Sequence, residues 1–87
     1  MSEIAKVLSI LKSEEDINNF LLDILTPQEM EAIEIRWKIV NLLVENKLSY
    51  TEIAKKVHTS TTTVTRVNRF LQSGHNGYKK ALEAERH

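Results

Sequence analysis

The stretch SYTEIAKKVHTSTTTVTRVNRFL, residues 49–71, decides the fold. It reads as two short helices joined by a tight turn. Ser49-Tyr50-Thr51-Glu52 has the form of a capping box, with a hydroxyl at the N-cap and a glutamate three residues on that reaches back to it. This predicts a helix over about 50–57. His58-Thr59-Ser60 breaks it, and a second helix is predicted over about 61–71. Two helices that cross at a sharp angle need a small residue at the crossing and apolar residues one turn apart on their facing sides. Ala54 supplies the first. Ile53 and Val57 on one helix, and Val64 and Val67 on the other, supply the second. Such a turn favours glycine for its positive φ. This chain has His58 there, which adopts that region less readily.

The pattern is that of a helix-turn-helix. Chance amphipathic helices reproduce parts of it, but the crossing residue, the break and both apolar pairs agree together here. The residues left on the outside of the second helix are Thr61, Thr62, Thr65, Arg66 and Arg69. Hydroxyls bond base edges or phosphates, threonine methyls touch thymine methyls, and arginine grips phosphate or guanine bidentately. The candidate DNA-binding set is therefore Thr51, Lys55, Thr59, Ser60, Thr61, Thr62, Thr65, Arg66 and Arg69. Lys56 is a further cation on the first helix. Surface solvation is the competing reading for both lysines.

Charge supports this reading by its distribution. The chain has 12 basic and 12 acidic side chains and no net charge. Residues 1–25 hold two basic and five acidic groups, net −3, and residues 26–48 hold three and four, net −1. Residues 49–71 hold four basic groups and Glu52 alone, net +3, and residues 72–87 hold three and two, net +1. A local basic face matters more than the overall balance for binding phosphates.

Outward from the motif the chain reads as helical throughout. Ser2 is a possible N-cap for a helix over 2–11 with Ile4, Val7, Leu8 and Leu11 on one face. Ser13 caps a helix over about 14–24, striped by Ile17, Phe20, Leu21 and Ile24. Glu14, Glu15 and Asp16 fill its first turn, where the helix dipole favours anions. Thr26-Pro27-Gln28-Glu29 combines an N-cap threonine, a proline at the first helical position and a glutamate at the third. It predicts a long helix over about 27–45. Met30, Ile33, Trp37, Val40 and Val44 form one stripe of that helix, while Ile35, Ile39 and Leu42 lie off it. A helix apolar on two sides is usually covered on both, here by its own domain and by a partner subunit. Ser73-Gly74-His75-Asn76-Gly77 reads as a loop, and a final helix is expected over 78–86 with Ala81 and Leu82 inward. His75, Lys79 and Lys80 follow the motif and are further candidates for flanking phosphates. Tyr50 opens the motif, where backbone contact and plain surface packing are both open. Trp37 reads as a core or interface side chain.

Composition bounds the remaining possibilities. Eighty-seven residues make one small domain with a modest core, 41% hydrophobic and 28% charged, as in ordinary globular chains. No cysteine is present, and His58, His75 and His87 lack metal-ligand spacing. No metal or cofactor is expected from the residues themselves. No apolar run reaches the ~18 residues a membrane span needs, and no signal peptide is visible, so a cytoplasmic location is expected. There is no Gly-rich phosphate loop and no acid–base pair at useful spacing, so the chain is not expected to be an enzyme.

The stretch from Leu25 to Leu71 resembles the tryptophan repressor family. The shared elements are Leu25-Thr26-Pro27, Glu29, Glu31-Ala32, Arg36, Lys38-Ile39-Val40, Leu43, Ser49, Thr63-Val64-Thr65-Arg66 and Leu71. The match has no gap and covers just over half the chain. The resemblance implies an all-α, six-helix fold, intertwined as a homodimer that presents two recognition helices to successive major grooves. It assigns residues 1–45 and 78–86 to a dimerisation core and 49–71 to the DNA-binding unit of a single domain, 1–87. It also implies a tryptophan pocket, with Arg36 and Arg66 at the positions that sandwich the indole and Thr26 and Thr63 at its walls. Val67 stands where tryptophan-binding members have glycine, and Phe70 where they have a serine that helps bind the ligand's amino group. These two are expected to fill part of the pocket from within and to free DNA binding from tryptophan. Two alternatives to a dimeric repressor-like regulator stay open. One is a helix-turn-helix module that binds protein. The other is a DNA-binding part of a larger transcription or replication machine, resembling the fourth region of sigma factors or a replication-initiator domain.

Overall fold

The computed structural model describes residues 2–86, so Met1 and the third histidine, His87, lie outside the described residues. Six helices follow one another with no strand among the described residues: α1 Glu3–Ile10, α2 Glu14–Ile24, α3 Pro27–Glu45, α4 Tyr50–Lys56, α5 Thr61–Ser73 and α6 Gly77–Glu85. The all-α, six-helix fold read from the sequence is what the chain adopts.

Local chemistry starts most of these helices. Ser2 Oγ accepts from the Ala5 N–H at 3.1 Å, and Ser13 Oγ from Asp16 at 3.0 Å. At α3 the capping box is complete: Thr26 N–H donates to Glu29 Oε1 at 2.8 Å, and Glu29 N–H to Thr26 Oγ1 at 3.1 Å. Each bond satisfies an amide that the helix start would otherwise leave without a partner. The sixth helix begins differently. Its N-cap, Asn76, sits in the left-handed region at φ 66 and makes no side-chain cap bond.

The chain divides after Ala32 into two compact units. The first holds α1, α2 and the opening turns of α3. Val7, Leu8, Leu11, Ile17, Phe20 and Leu21 are half-buried there, but none of its described residues is fully buried. Ile4, Ile10, Leu22 and Ile24 are exposed.

The second unit, from Ile33 onward, contains the core. Ile39, Val40, Ile53, Ala54, Val57, Val64, Val67 and Leu71 are buried together, with Leu48, Tyr78 and Leu82 packed against them. On α3 the core takes the side centred on Ile39, with Ile35, Leu42 and Leu43 half-buried beside it. Val40 belongs to this core as well as to the Met30–Val44 stripe. Trp37 of that stripe is half-buried and packs against the core too, while Ile33 and Val44 remain about 40% exposed. On α6 the inward pair is Tyr78 and Leu82, not Ala81 and Leu82: Ala81 is exposed. The i, i+4 spacing puts positions 78 and 82 one above the other, and 81 lies to the side.

Helix α5 runs two residues past Leu71 and ends at Gly74, whose N–H donates to the Phe70 carbonyl at 3.0 Å. A Cβ at position 74 would lie 2.3 Å from that carbonyl oxygen, whereas one at Gly77 would meet nothing within 4 Å. Gly74→Ala is therefore expected to destabilise the fold by about 1–3 kcal/mol through forced displacement of backbone. Gly77→Ala is expected to be neutral or to stabilise by up to about 1 kcal/mol by restricting the unfolded chain. Urea denaturation of the two variants checks this, and equal effects would contradict it.

Candidate nucleic-acid interface

The helix-turn-helix is built from its turn outward. At the start of α4 both halves of the capping box form: Ser49 N–H donates to Glu52 Oε1 at 2.8 Å, and Glu52 N–H to Ser49 Oγ at 3.2 Å. At its end His58 adopts the left-handed conformation at φ 59. The His58 N–H donates to the Lys55 carbonyl at 3.3 Å and the Thr59 N–H to the Ala54 carbonyl at 2.9 Å. These two bonds, closed around a left-handed residue, are a Schellman motif, in which glycine is the usual occupant. Histidine serves here, as the sequence position required. Ser60 then caps α5, accepting from the Thr63 N–H at 3.2 Å.

This turn brings α5 across α4. Ile53 and Val64 are wholly buried, Ala54 is 4% exposed and Val67 3%. The four apolar residues and the alanine read from the spacing are the ones that meet.

Burying those residues leaves the opposite side of α5 in solvent. Thr61, Thr62, Thr65, Arg66 and Arg69 line one open cleft of about 520 Å³, joined by Phe70. No carboxylate lines it. The first turn of α5 has no acidic residue, unlike those of α1 to α4. The partial positive charge of that helix start is thus left for an external anion. The other candidates sit elsewhere. Thr51 and Lys55 are exposed on α4, Ser60 is committed to the cap, and Thr59 is half-buried in the turn. Lys79 and Lys80 are exposed on α6, and His75 lies exposed in the loop before it.

A second cleft, of about 280 Å³, is lined by Arg36, Thr63, Arg66, Val67, Phe70 and Tyr78. Five of these were read from the sequence as pocket residues. Tyr78 was not; its spacing to Leu82 was the available signal. Thr26 is not among them. It lies in the first unit as the cap of α3. Val67 forms buried wall, while Phe70 is 44% exposed and shared with the first cleft, as is Arg66. Phe70 lines this cleft, as read from the sequence, and its place between the core side and the solvent side of α5 leaves it partly exposed.

Among the described residues, no group of three or more acidic or histidine side chains could hold a metal ion, and no helix is long and apolar enough to cross a membrane.

The Ser49 backbone N–H, then its hydroxyl, hold the Glu52 carboxyl below the ordinary glutamate range, with Lys55 adding a smaller pull. A carboxyl lowered in the folded state stabilises above its unfolded pKa of about 4.3 and loses that contribution as pH falls through its lower folded value. Ser49→Ala is expected to cost about 1 kcal/mol at neutral pH. Its deficit against wild type should shrink as pH drops below about 4. Paired denaturation curves at pH 7 and pH 3 check this; a deficit that grows in acid would contradict it.

Comparison with known proteins agrees with the geometry. No curated protein matches the chain. The family described as Trp repressor protein matches over residues 1–86, which extends the likeness from residues 25–71 to almost the whole sequence. With six helices, a helix-turn-helix in the fourth and fifth, and that match, the chain belongs to the Trp repressor protein family, a family of DNA-binding regulators.

Proposed function

We propose that this chain is a sequence-specific transcriptional regulator that reads the major groove with α5, acts as a homodimer and needs no tryptophan. The observation that supports it best is the α5 cleft, where three hydroxyls and two guanidiniums share a surface free of carboxylates. Arginine pairs with phosphate or guanine, and the short hydroxyls allow the helix to approach the base edges closely. Lys55 on α4 and Lys79 and Lys80 on α6 are exposed, and in this reading they take flanking phosphates.

Dimerisation is supported by what one copy leaves uncovered. None of the described residues of the first unit is fully buried, and Ile4, Ile10, Leu22 and Ile24 are exposed there. A unit that leaves so much apolar side chain outside any core of its own gains by burying it against a second copy. A second copy also supplies the second recognition helix, about 34 Å from the first on a two-fold site.

Independence from tryptophan is supported by the inner cleft. Its lining carries the bulk of Val67, Phe70 and Tyr78, and Phe70 stands where the resemblance implies a serine for the ligand's ammonium group. These residues do not fit an indole with a free ammonium. Arg36 and Arg66 are better matched to phosphate.

Selection of bound sequences from random DNA, followed by affinity over a salt series, tests the reading. A palindromic consensus, a steep salt dependence and a mass twice that of one chain in solution are expected. Arg66→Ala is expected to weaken binding by about 1–3 kcal/mol and, where Arg66 contacts phosphate, to lower the salt slope by about 1. Millimolar tryptophan should leave affinity unchanged. No enrichment, or a large gain in affinity with tryptophan, would overturn the corresponding part.

A further inference from the structure

The hydroxyls on the exposed side of α5 are not equivalent. Thr65 Oγ1 donates its hydrogen to the Thr61 carbonyl at 3.0 Å, one turn back. A hydroxyl has one hydrogen and two lone pairs. With the hydrogen engaged inside the helix, Thr65 meets the outside as an acceptor with a methyl group beside it. Ser60 and Thr63 are engaged with each other, their hydroxyl oxygens 3.1 Å apart. Thr61 and Thr62 have no hydroxyl partner among the described hydrogen bonds and keep a free donor.

Thr65 lies one turn on from Thr61 and Thr62 and one turn before Arg69, so all four share a face. Within their cleft Arg66 and Arg69 only donate, and Thr61 and Thr62 do either. Thr65 is the group there arranged to accept alone. In the major groove a protein acceptor pairs with an exocyclic amino group, N6 of adenine or N4 of cytosine. Guanine and thymine present O6, N7 and O4, all acceptors. To donate to them Thr65 would have to give up its bond to Thr61.

We propose that Thr65 is a specificity-determining residue, selecting an exocyclic amino group at one base of each half-site and disfavouring guanine and thymine there. This rests on the DNA-reading function proposed above. Thr61 and Thr62, with free donors at the helix start, are left for phosphate.

A cycle of protein and base changes tests it. Bound sequences are selected for wild type, and the amino group is then deleted from single bases of the consensus, purine replacing adenine and 2-pyrimidinone replacing cytosine. At one position per half-site, wild type and Thr65→Ser, which keeps the hydroxyl, are expected to lose roughly two- to tenfold in affinity. Thr65→Val, which keeps the shape without the lone pairs, should be insensitive at that position and still bind other DNA with normal salt dependence. The responding arm, purine or pyrimidinone, identifies the base. Wild type indifferent to every deleted amino group, or Thr65→Val as sensitive as wild type, overturns the inference while leaving DNA reading intact. A wild type that selects no sequence overturns both.

Discussion

Alanine at position 54 lets α5 lie across α4, and the rest of the second unit is arranged around that approach. A larger side chain there would hold the two helices apart. Ile53 and Val57 would then lose Val64, Val67 and Leu71, and Ile39 and Val40 beneath them would be uncovered. The angle of approach comes from the turn, where His58 takes a backbone conformation that most side chains resist. Two hydrogen bonds, to Lys55 and to Ala54, hold it there. A left-handed residue other than glycine costs on the order of 1–2 kcal/mol. Burial of the apolar pairs on either side, at about 1.5–3 kcal/mol per large side chain, outweighs that several times over.

The same packing divides the labour on α5. Its inner residues carry the stability, and truncating a buried isoleucine costs about 2–5 kcal/mol in a protein whose whole stability is about 5–15. Its outer residues are exposed, so their replacement leaves the core unchanged. Chemistry on that face is thus free to vary without unfolding the helix. Arg66 and Phe70 are the exceptions in position, since each borders both the outer cleft and the inner one. In this chain the inner cleft sets Arg36, Thr63 and Arg66 beside the bulk of Val67, Phe70 and Tyr78.

Much of this was legible in the sequence because helix starts are local. Ser13, Thr26, Ser49 and Ser60 each form the cap bond that their place in the chain implies. The crossing of α4 and α5 was legible for the same reason: the two helices start at Tyr50 and Thr61, close together in the chain. Less was legible where the cause is not local. The α6 start relies on a left-handed Asn76 and no side-chain cap, so Tyr78 was missed as an inward residue. The side of α3 that enters the core could not be chosen from a helix apolar on two sides. Phe70 lines the inner cleft as expected, but that it also borders the outer one depends on how α5 is seated against the core. The engagement of the Thr65 hydroxyl depends on a rotamer and has no signature in residue spacing.

Packed against α4, α5 turns Thr61, Thr62, Thr65, Arg66 and Arg69 outward, and the DNA reading proposed for them can be mapped residue by residue. The most direct measurement is a nuclear magnetic resonance titration of the isotope-labelled chain with its selected duplex. The account predicts that perturbed amides cluster at residues 60–70 and at the start of α4, while Ile39, Val40 and Ile53 stay unchanged. Perturbations centred on α1 and α2, or none at stoichiometric duplex, would contradict it.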